Sequence, residues 1–362
     1  MRFTIISADI GHRTSGQSRF AVNLARGLRS AGSEVTVVAA QILPNACSTL
    51  AEAGVRTRTL GEVTTTTLAK ARLMSRFSRV GEELAELAKQ ETRTDWFVAL
   101  SDSAVSASVA LGRENSIYIS NGDLALMFLS PSFYATSGAG RWLLSRDAAS
   151  IILRNAKHAA EFRLRLANSE FCRNFMSYLY NLPFQGVIYP PVDTDAFKST
   201  GEPRQASVVA LARNRNEPGF PLLEKLAKVA NLTVIGGAKI GGARNLGEVE
   251  DSVLIHELSR AYVTACPGIS EFFGYLAAES LACGTPVVAF DACGPAELVK
   301  RGNAGWLAAG DSEFLSLVHS AALTPPSPEL QSAARESAAE LSLRASADRL
   351  MYLVARAGSN KG

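Results

Sequence analysis

The stretch Gly268–Asp311, GISEFFGYLAAESLACGTPVVAFDACGPAELVKRGNAGWLAAGD, constrains the fold of this chain more than any other. A helix is predicted from Phe273 to Gly284, a glycine suited to the left-handed turn that follows a helix end. Pro286 then opens a run, Val287–Phe290, that is apolar at every position. Such a run lacks the alternation of a half-exposed strand and fits one buried on both faces of a parallel sheet. A loop with Gly294 and Pro295 leads into the next helix.

The same stretch holds two acids, Glu271 and Glu279, around the predicted helix start. The amides of Phe273, Gly274, Tyr275 and Leu276 would be the unpaired donors of that helix N-terminus, where donor geometry and dipole suit phosphate or sugar oxygens. Gly274 would let a ligand approach the backbone closely. The two oxygens of a carboxylate such as Glu279 can accept from two neighbouring hydroxyls, as on a ribose. The plainer reading is an ordinary strand–helix–strand unit with two exposed acids.

The rest of the chain repeats the α/β pattern. Phe3–Ala8 reads as a strand, Asp9–Ser18 as a loop with Gly11, Ser15 and Gly16, and the next helix starts near Arg19 with Phe20, Leu24 and Leu28 on one face. Glu34–Ala39 is the following strand, the opening of a doubly wound domain. The loop is not a G-x-G-x-x-G fingerprint, which weakens a nicotinamide reading. Thr64–Gln90 predicts an amphipathic helix with Leu73, Phe77, Val80, Leu84 and Leu87 on its stripe and Lys70, Arg72, Arg76 and Arg79 largely off it. Its basic face is either solvated or an interface to anionic lipid. Asp95–Leu100 and Ser116–Ser120 are strands followed by polar loops, Ser101–Ser103 and Asn121–Asp123. Phe128, Phe133, Tyr134 and Trp142 either shape a pocket or fill a core. Phe162–Ala167 leads to a helix cap at Asn168-Ser169. The prolines 190 and 191 stiffen a linker, and the domain boundary is placed at residue 195: 1–195 and 196–362.

In the second half, Ala206–Ala212 is a strand, Leu222–Val229 a helix and Leu232–Ile235 a strand. Arg213 and Arg215 lie in the loop after the first of these strands. Gly236-Gly237 and Gly241-Gly242 break the chain as flexible loops do. A final helix near 345–357 is expected to pack back on the first domain.

A length of 362 residues gives material for two cores, and a net charge of +3 demands no nucleic-acid partner. The five cysteines are scattered and form no C-x-x-C pair, so free thiols in a reducing cytoplasm are expected, with no structural zinc. A strand begins within three residues of the start without a signal-peptide pattern, and no apolar run approaches the ~20 residues of a membrane helix.

Taken whole, the string Glu271, Phe273-Gly274, Glu279, Ala282-Cys283-Gly284-Thr285-Pro286-Val287-Val288 resembles the signature of the retaining glycosyltransferases of family 4. Gly294-Pro295-x-Glu297, Gly305-Trp306-Leu307, Asn168-Ser169-x-Phe171 and the 187–197 linker fit as well. The resemblance implies the GT-B fold, two Rossmann-like domains facing across a cleft, and transfer of a hexose or N-acetylhexosamine from a nucleoside diphosphate sugar to a hydroxyl acceptor. That acceptor would be a glycan, a lipid or a small molecule, and a lipid acceptor would bring peripheral membrane contact. By the same resemblance Glu271 orients the donor sugar, residues 273–276 bind sugar or phosphate, and Glu279 holds the ribose. Arg213 neutralises the leaving group, Val249 borders the nucleobase, and Gly16 lines the phosphate side. No cofactor or metal is required.

Two positions depart from that pattern. Pro218 stands where relatives carry a lysine, which leaves Arg215 or a residue from elsewhere to supply the second charge. No histidine follows the strand ending at Ser120; Asn121 or Asp123 takes the nearest place. The alternative these departures allow is a degenerate GT-B protein that binds nucleotide sugar, or a protein partner, without transfer. A sugar-nucleotide epimerase on the same fold would need several acid/base residues that the sequence does not display.

Overall fold

The structure is a computed structural model that describes residues 1–10, 16–60, 80–91, 93–122 and 138–359. It divides into two compact units, Met1–Phe128 with Leu143–Pro191 and Leu343–Gly362, and Leu129–Trp142 with Val192–Ser342.

The first unit is built on a seven-stranded sheet of order β3-β2-β1-β4-β5-β6-β7: Arg2–Ile10, Glu34–Ile42, Arg56–Thr59, Trp96–Leu100, Ser116–Ser120, Leu164–Ala167 and Gly186–Val187 for β1 to β7. Every pairing is parallel, which requires crossovers and covers both faces. Ile5, Val37, Val98 and Ile117 are accordingly fully buried. The helix after β1 runs Gly16–Ser30, three residues earlier than its apolar stripe suggests, and buries Phe20, Leu24 and Leu28. The last helix, Leu343–Ser359, belongs to this unit. It adds Leu350, Leu353 and Val354 to the core, and a Cβ on Gly27 would lie 2.3 Å from the Leu343 carbonyl oxygen.

At the ends of β4 and β5, the buried Asp102 carboxylate accepts from Tyr118 (2.5 Å) and Ser120 (2.7 Å). The Tyr118 hydroxyl is held well above its ordinary pKa, first by burial and then by the Asp102 charge. Ser169 caps the Glu170–Tyr180 helix by accepting from the Cys172 amide at 2.9 Å. Of the expected 64–90 helix, residues 80–89 are helical and bury Leu84; residues 61–79, with the four basic side chains and Leu73 and Phe77, lie outside the described residues. So do Asp123, Phe128, Phe133 and Tyr134.

The second unit carries a six-stranded parallel sheet, order β10-β9-β8-β11-β12-β13, formed by Gln205–Leu211 (β8), Leu232–Ile235 (β9), Arg244–Gly247 (β10), Ala261–Cys266 (β11), Val287–Phe290 (β12) and Gly305–Ala308 (β13). All four residues of β12 are buried, as its unbroken apolar run requires. In each sheet the order reverses beside the first strand, between β1 and β4 and between β8 and β11. Ligands of open α/β sheets bind outside the carboxyl ends of the strands at such points. Among the described residues no helix is long and apolar enough to cross a membrane.

Candidate functional site

The loops at the β8/β11 reversal carry Arg213, after β8, and Glu271, after β11. Following β11, the chain turns through Gly268–Gly274, and the helix begins at Tyr275 and ends at Ala282. This is two residues later than the sequence suggests. Gly274 has φ +91° and ψ +75°, a left-handed conformation that cannot join the helix. The amides of Tyr275 and Leu276 therefore belong to the first helical turn, while those of Phe273 and Gly274 precede it.

The structure also gives Gly274 a different reason from the expected close approach of a ligand. A Cβ there would lie 2.5 Å from Pro295 Cγ, so the side-chain direction is filled by protein. Gly294 is locked in the same way, since its Cβ would lie 2.3 Å from the Phe272 carbonyl oxygen. The Gly294 amide donates to the Glu271 carbonyl at 2.8 Å. The Phe-Gly and Gly-Pro pairs of the sequence are thus two halves of one close contact that fixes the loop bearing Glu271.

Neither acid is the solvated surface group of the plainer reading. Glu279 is only 3% exposed, and Glu271 is half-buried. The Glu271 carboxyl is held above its ordinary pKa, chiefly by burial; the Arg213 charge opposes the shift and the Glu217 charge adds to it. These three charges therefore act on one another across the β8 and β11 loops.

The turn that closes the helix is structural. The Arg204 guanidinium donates to the carbonyls of Ala261 (2.8 Å), Cys283 (3.2 Å) and Gly284 (2.8 Å) and to Thr285 Oγ1 (2.6 Å). Thr285 Oγ1 donates in turn to the Leu258 carbonyl at 2.6 Å, and Ser280 Oγ to the Thr285 carbonyl at 2.9 Å. Gly284 has φ +74° and meets Arg335 and Arg204 where a Cβ would stand. The Gly-Thr-Pro turn therefore anchors the helix that carries Glu279.

Arg213 follows β8, in the loop that also holds Pro218. Glu217, which the sequence reading passed over, grips it twice: its carboxylate accepts from the Arg213 side chain at 2.6 Å and from the Arg213 amide at 2.9 Å. The i, i+4 Arg–Glu spacing was the available signal. An open depression of about 390 Å³ lies here, lined by Arg213, Asn214, Arg215, Gly237, Ala238 and Lys239. Of the glycines after β9, Gly236 is held closely against the chain. Gly236 has φ +106° and its Cβ would lie 2.5 Å from the Ala212 carbonyl oxygen, and the Ala238 amide donates to that oxygen at 3.0 Å.

Val249 is half-buried at the end of β10, the edge strand of this sheet. Gly16 is the first residue of the helix after β1 in the other unit. Asp123 lies outside the described residues; Asn121 is buried at the end of β5. Among the described residues no group of three or more His, Cys, Asp or Glu is placed to hold a metal ion.

Residues 220–338 match the sequence model of the family described as Glycosyl transferases group 1. No curated protein matches the chain. Among solved structures, a sucrose-phosphate synthase from Thermosynechococcus elongatus is 16% identical, with a TM-score of 0.76 over 99% of this chain and 100% of that one. Anabaena HepE in complex with UDP and glucose is 17% identical, with a TM-score of 0.68 over 99% and 100%. WaaG, a glycosyltransferase involved in lipopolysaccharide biosynthesis, is 13% identical, with a TM-score of 0.66 over 97% and 99%. The chain has the GT-B fold of these proteins, and the family match over the second unit supports a glycosyltransferase.

Proposed function

We propose that this protein transfers a sugar, with retention of anomeric configuration, from a nucleoside diphosphate sugar to a hydroxyl acceptor. The observation that carries the reading is the placement of Arg213, gripped by Glu217, after β8 and of Glu271 after β11, the two neighbouring strands at the sheet reversal of the unit that matches the glycosyltransferase model. HepE structures hold UDP and UDP-glucose, which makes a uridine diphosphate sugar the first donor to test.

In this reading the bond between the anomeric carbon and the diphosphate oxygen breaks, and its electron pair leaves with the diphosphate. The acceptor oxygen bonds to the same face of the sugar, and its proton passes to the departing diphosphate oxygen. No covalent enzyme intermediate is formed. Arg213 faces the charge that builds on the leaving group, and its grip by Glu217 holds it in place beforehand, which is the condition for electrostatic stabilisation without reorganisation. Glu271 orients the sugar, its carboxyl oxygens accepting from sugar hydroxyls. The Tyr275 and Leu276 amides meet sugar or phosphate oxygens, Val249 borders the base, and Glu279 takes the ribose hydroxyls.

Calorimetry with UDP, GDP, ADP and TDP tests the donor site. One of them binds the wild-type protein, and Glu279→Gln weakens it by about tenfold through the loss of one acceptor oxygen. The same variant loses the preference for the ribose over the 2′-deoxyribose form of that nucleotide. Unchanged affinity and an unchanged ribose preference would remove Glu279 from the site; no binding by wild type would favour a degenerate GT-B protein.

A further inference from the structure

The depression beside Arg213 is lined by three cations and no acid: Arg213, Arg215 and Lys239. Glu217 offsets only one of them. Among the described residues no ion pair within 4.0 Å holds Arg215 or Lys239. Like charges gathered around one concavity repel, and an anion placed among them relieves that repulsion. The volume falls in the range of small-ligand sites.

Lys239 comes from the loop after β9, the strand beside β8, and its backbone is held on both sides. Ala238 before it is bonded to Ala212 at the end of β8. Immediately after it, the Ile240 amide donates to Asn245 Oδ1 at 2.9 Å, and Asn245 Nδ2 donates to the carbonyls of Ile240 and Ala243, both at 2.9 Å. The side chain itself is exposed, so its charge stands at the mouth of the depression on a fixed piece of backbone. Pro218, in the loop on the other strand, offers no charge.

We propose that Lys239 binds the diphosphate of the donor together with Arg213, bringing a cation from the β9 loop to the side of the depression opposite the Arg213 loop. The proposal rests on the donor-site reading above. An ammonium on a flexible stem serves as a point charge for phosphate, and the hydrogen bonds on both sides of Lys239 leave less backbone freedom to be lost on binding. The ligand class is a phosphate anhydride: the depression recognises the charged part of the donor and is indifferent to its base.

The test is calorimetry of Lys239→Ala, Lys239→Arg and Lys228→Ala with UDP, GDP, ADP and TDP, and with the four nucleosides that lack the diphosphate. Lys228 is an exposed lysine outside the depression and serves as the control. The expected result is a loss of about tenfold in affinity for the nucleoside diphosphate in Lys239→Ala, near-wild-type binding in the other two variants, and nucleoside affinities that do not change. Equal affinity of Lys239→Ala and wild type for the diphosphate would overturn the proposal, as would an equal loss for nucleoside and diphosphate. Failure of the wild type to bind any of the four diphosphates would overturn the donor-site reading, and this assignment with it.

Discussion

Gly274 can be tested as a two-part constraint. Replacing it with alanine asks an L-residue to hold φ +91°, which costs about 1–2 kcal/mol, and places a methyl group 2.5 Å from Pro295 Cγ. Forcing a methyl group into a packed contact of that kind costs about 1–3 kcal/mol more. Gly274→Ala should therefore destabilise the second unit by about 2–5 kcal/mol. The two parts separate in a double-mutant cycle. Pro295→Ala removes Cγ and Cδ, leaving the Pro295 Cβ, at 3.4 Å, as the nearest atom of that residue. In that background the steric part vanishes and the backbone part stays, so Gly274→Ala should cost only about 1–2 kcal/mol, a coupling of about 1–3 kcal/mol. Urea unfolding of the four proteins, followed by circular dichroism and tryptophan fluorescence, measures the cycle. Equal costs of Gly274→Ala in both backgrounds would refute the contact with Pro295. A cost well under 1 kcal/mol in both would refute the backbone strain as well.

Arg204→Ala deprives three carbonyls and the Thr285 hydroxyl of their donor. About 2–4 kcal/mol should be lost, seen as a lower melting temperature, while Arg204→Lys recovers only part because it lacks the planar fork. A melting temperature unchanged in Arg204→Ala would show that the turn holds itself. Glu271→Gln addresses pH. Because the folded-state pKa of Glu271 is raised, its protonated form favours folding below the unfolded value, and that contribution fades as pH rises through the folded value. As pH rises, wild type takes on the cost of ionising a half-buried carboxyl, and the amide variant does not. Melting curves from about pH 8 down to about pH 5 should show Glu271→Gln the more stable at the upper end, with the gap closing on acidification. A gap that stays constant or widens toward acid would reverse the sign argued here.

Much of the architecture was legible because burial on both faces leaves a plain mark. Val287–Phe290 was located from the unbroken apolar run that burial on both faces of the sheet demands. Ser169 was legible as a cap because its hydroxyl serves the chain three residues on. The helix starts were less legible. Gly16 opens its helix before any apolar residue marks the stripe, and Gly274 delays the next helix through a backbone angle that a sequence does not display. In the site, Glu271, Glu279 and Arg213 stood out by type and spacing. Glu217 was marked only by its spacing of four from Arg213, and Lys239 not at all, because its place beside Arg213 depends on the pairing of β9 with β8. The two glycines before Lys239 suggested looseness; only the Ala212 carbonyl beneath Gly236 shows why the backbone there needs them.

The first unit is not a continuous length of chain: it is completed by the helix Leu343–Ser359, which lies against Gly27. A ribosome makes the about 150 residues of Val192–Ser342 between the two parts, which at about 5–20 residues per second is a delay of roughly 8–30 s. Throughout that interval Leu24 and Leu28 lack the cover of Leu350, Leu353 and Val354, with which they share a core in the finished molecule. The second unit, by contrast, has its whole sheet in hand once Ala308 has emerged. The order of synthesis and the order of completion are therefore reversed for this protein: the portion made first is the portion finished last. A fragment ending at Pro191 would carry every strand of its sheet and still present an apolar groove to any holdase that meets it.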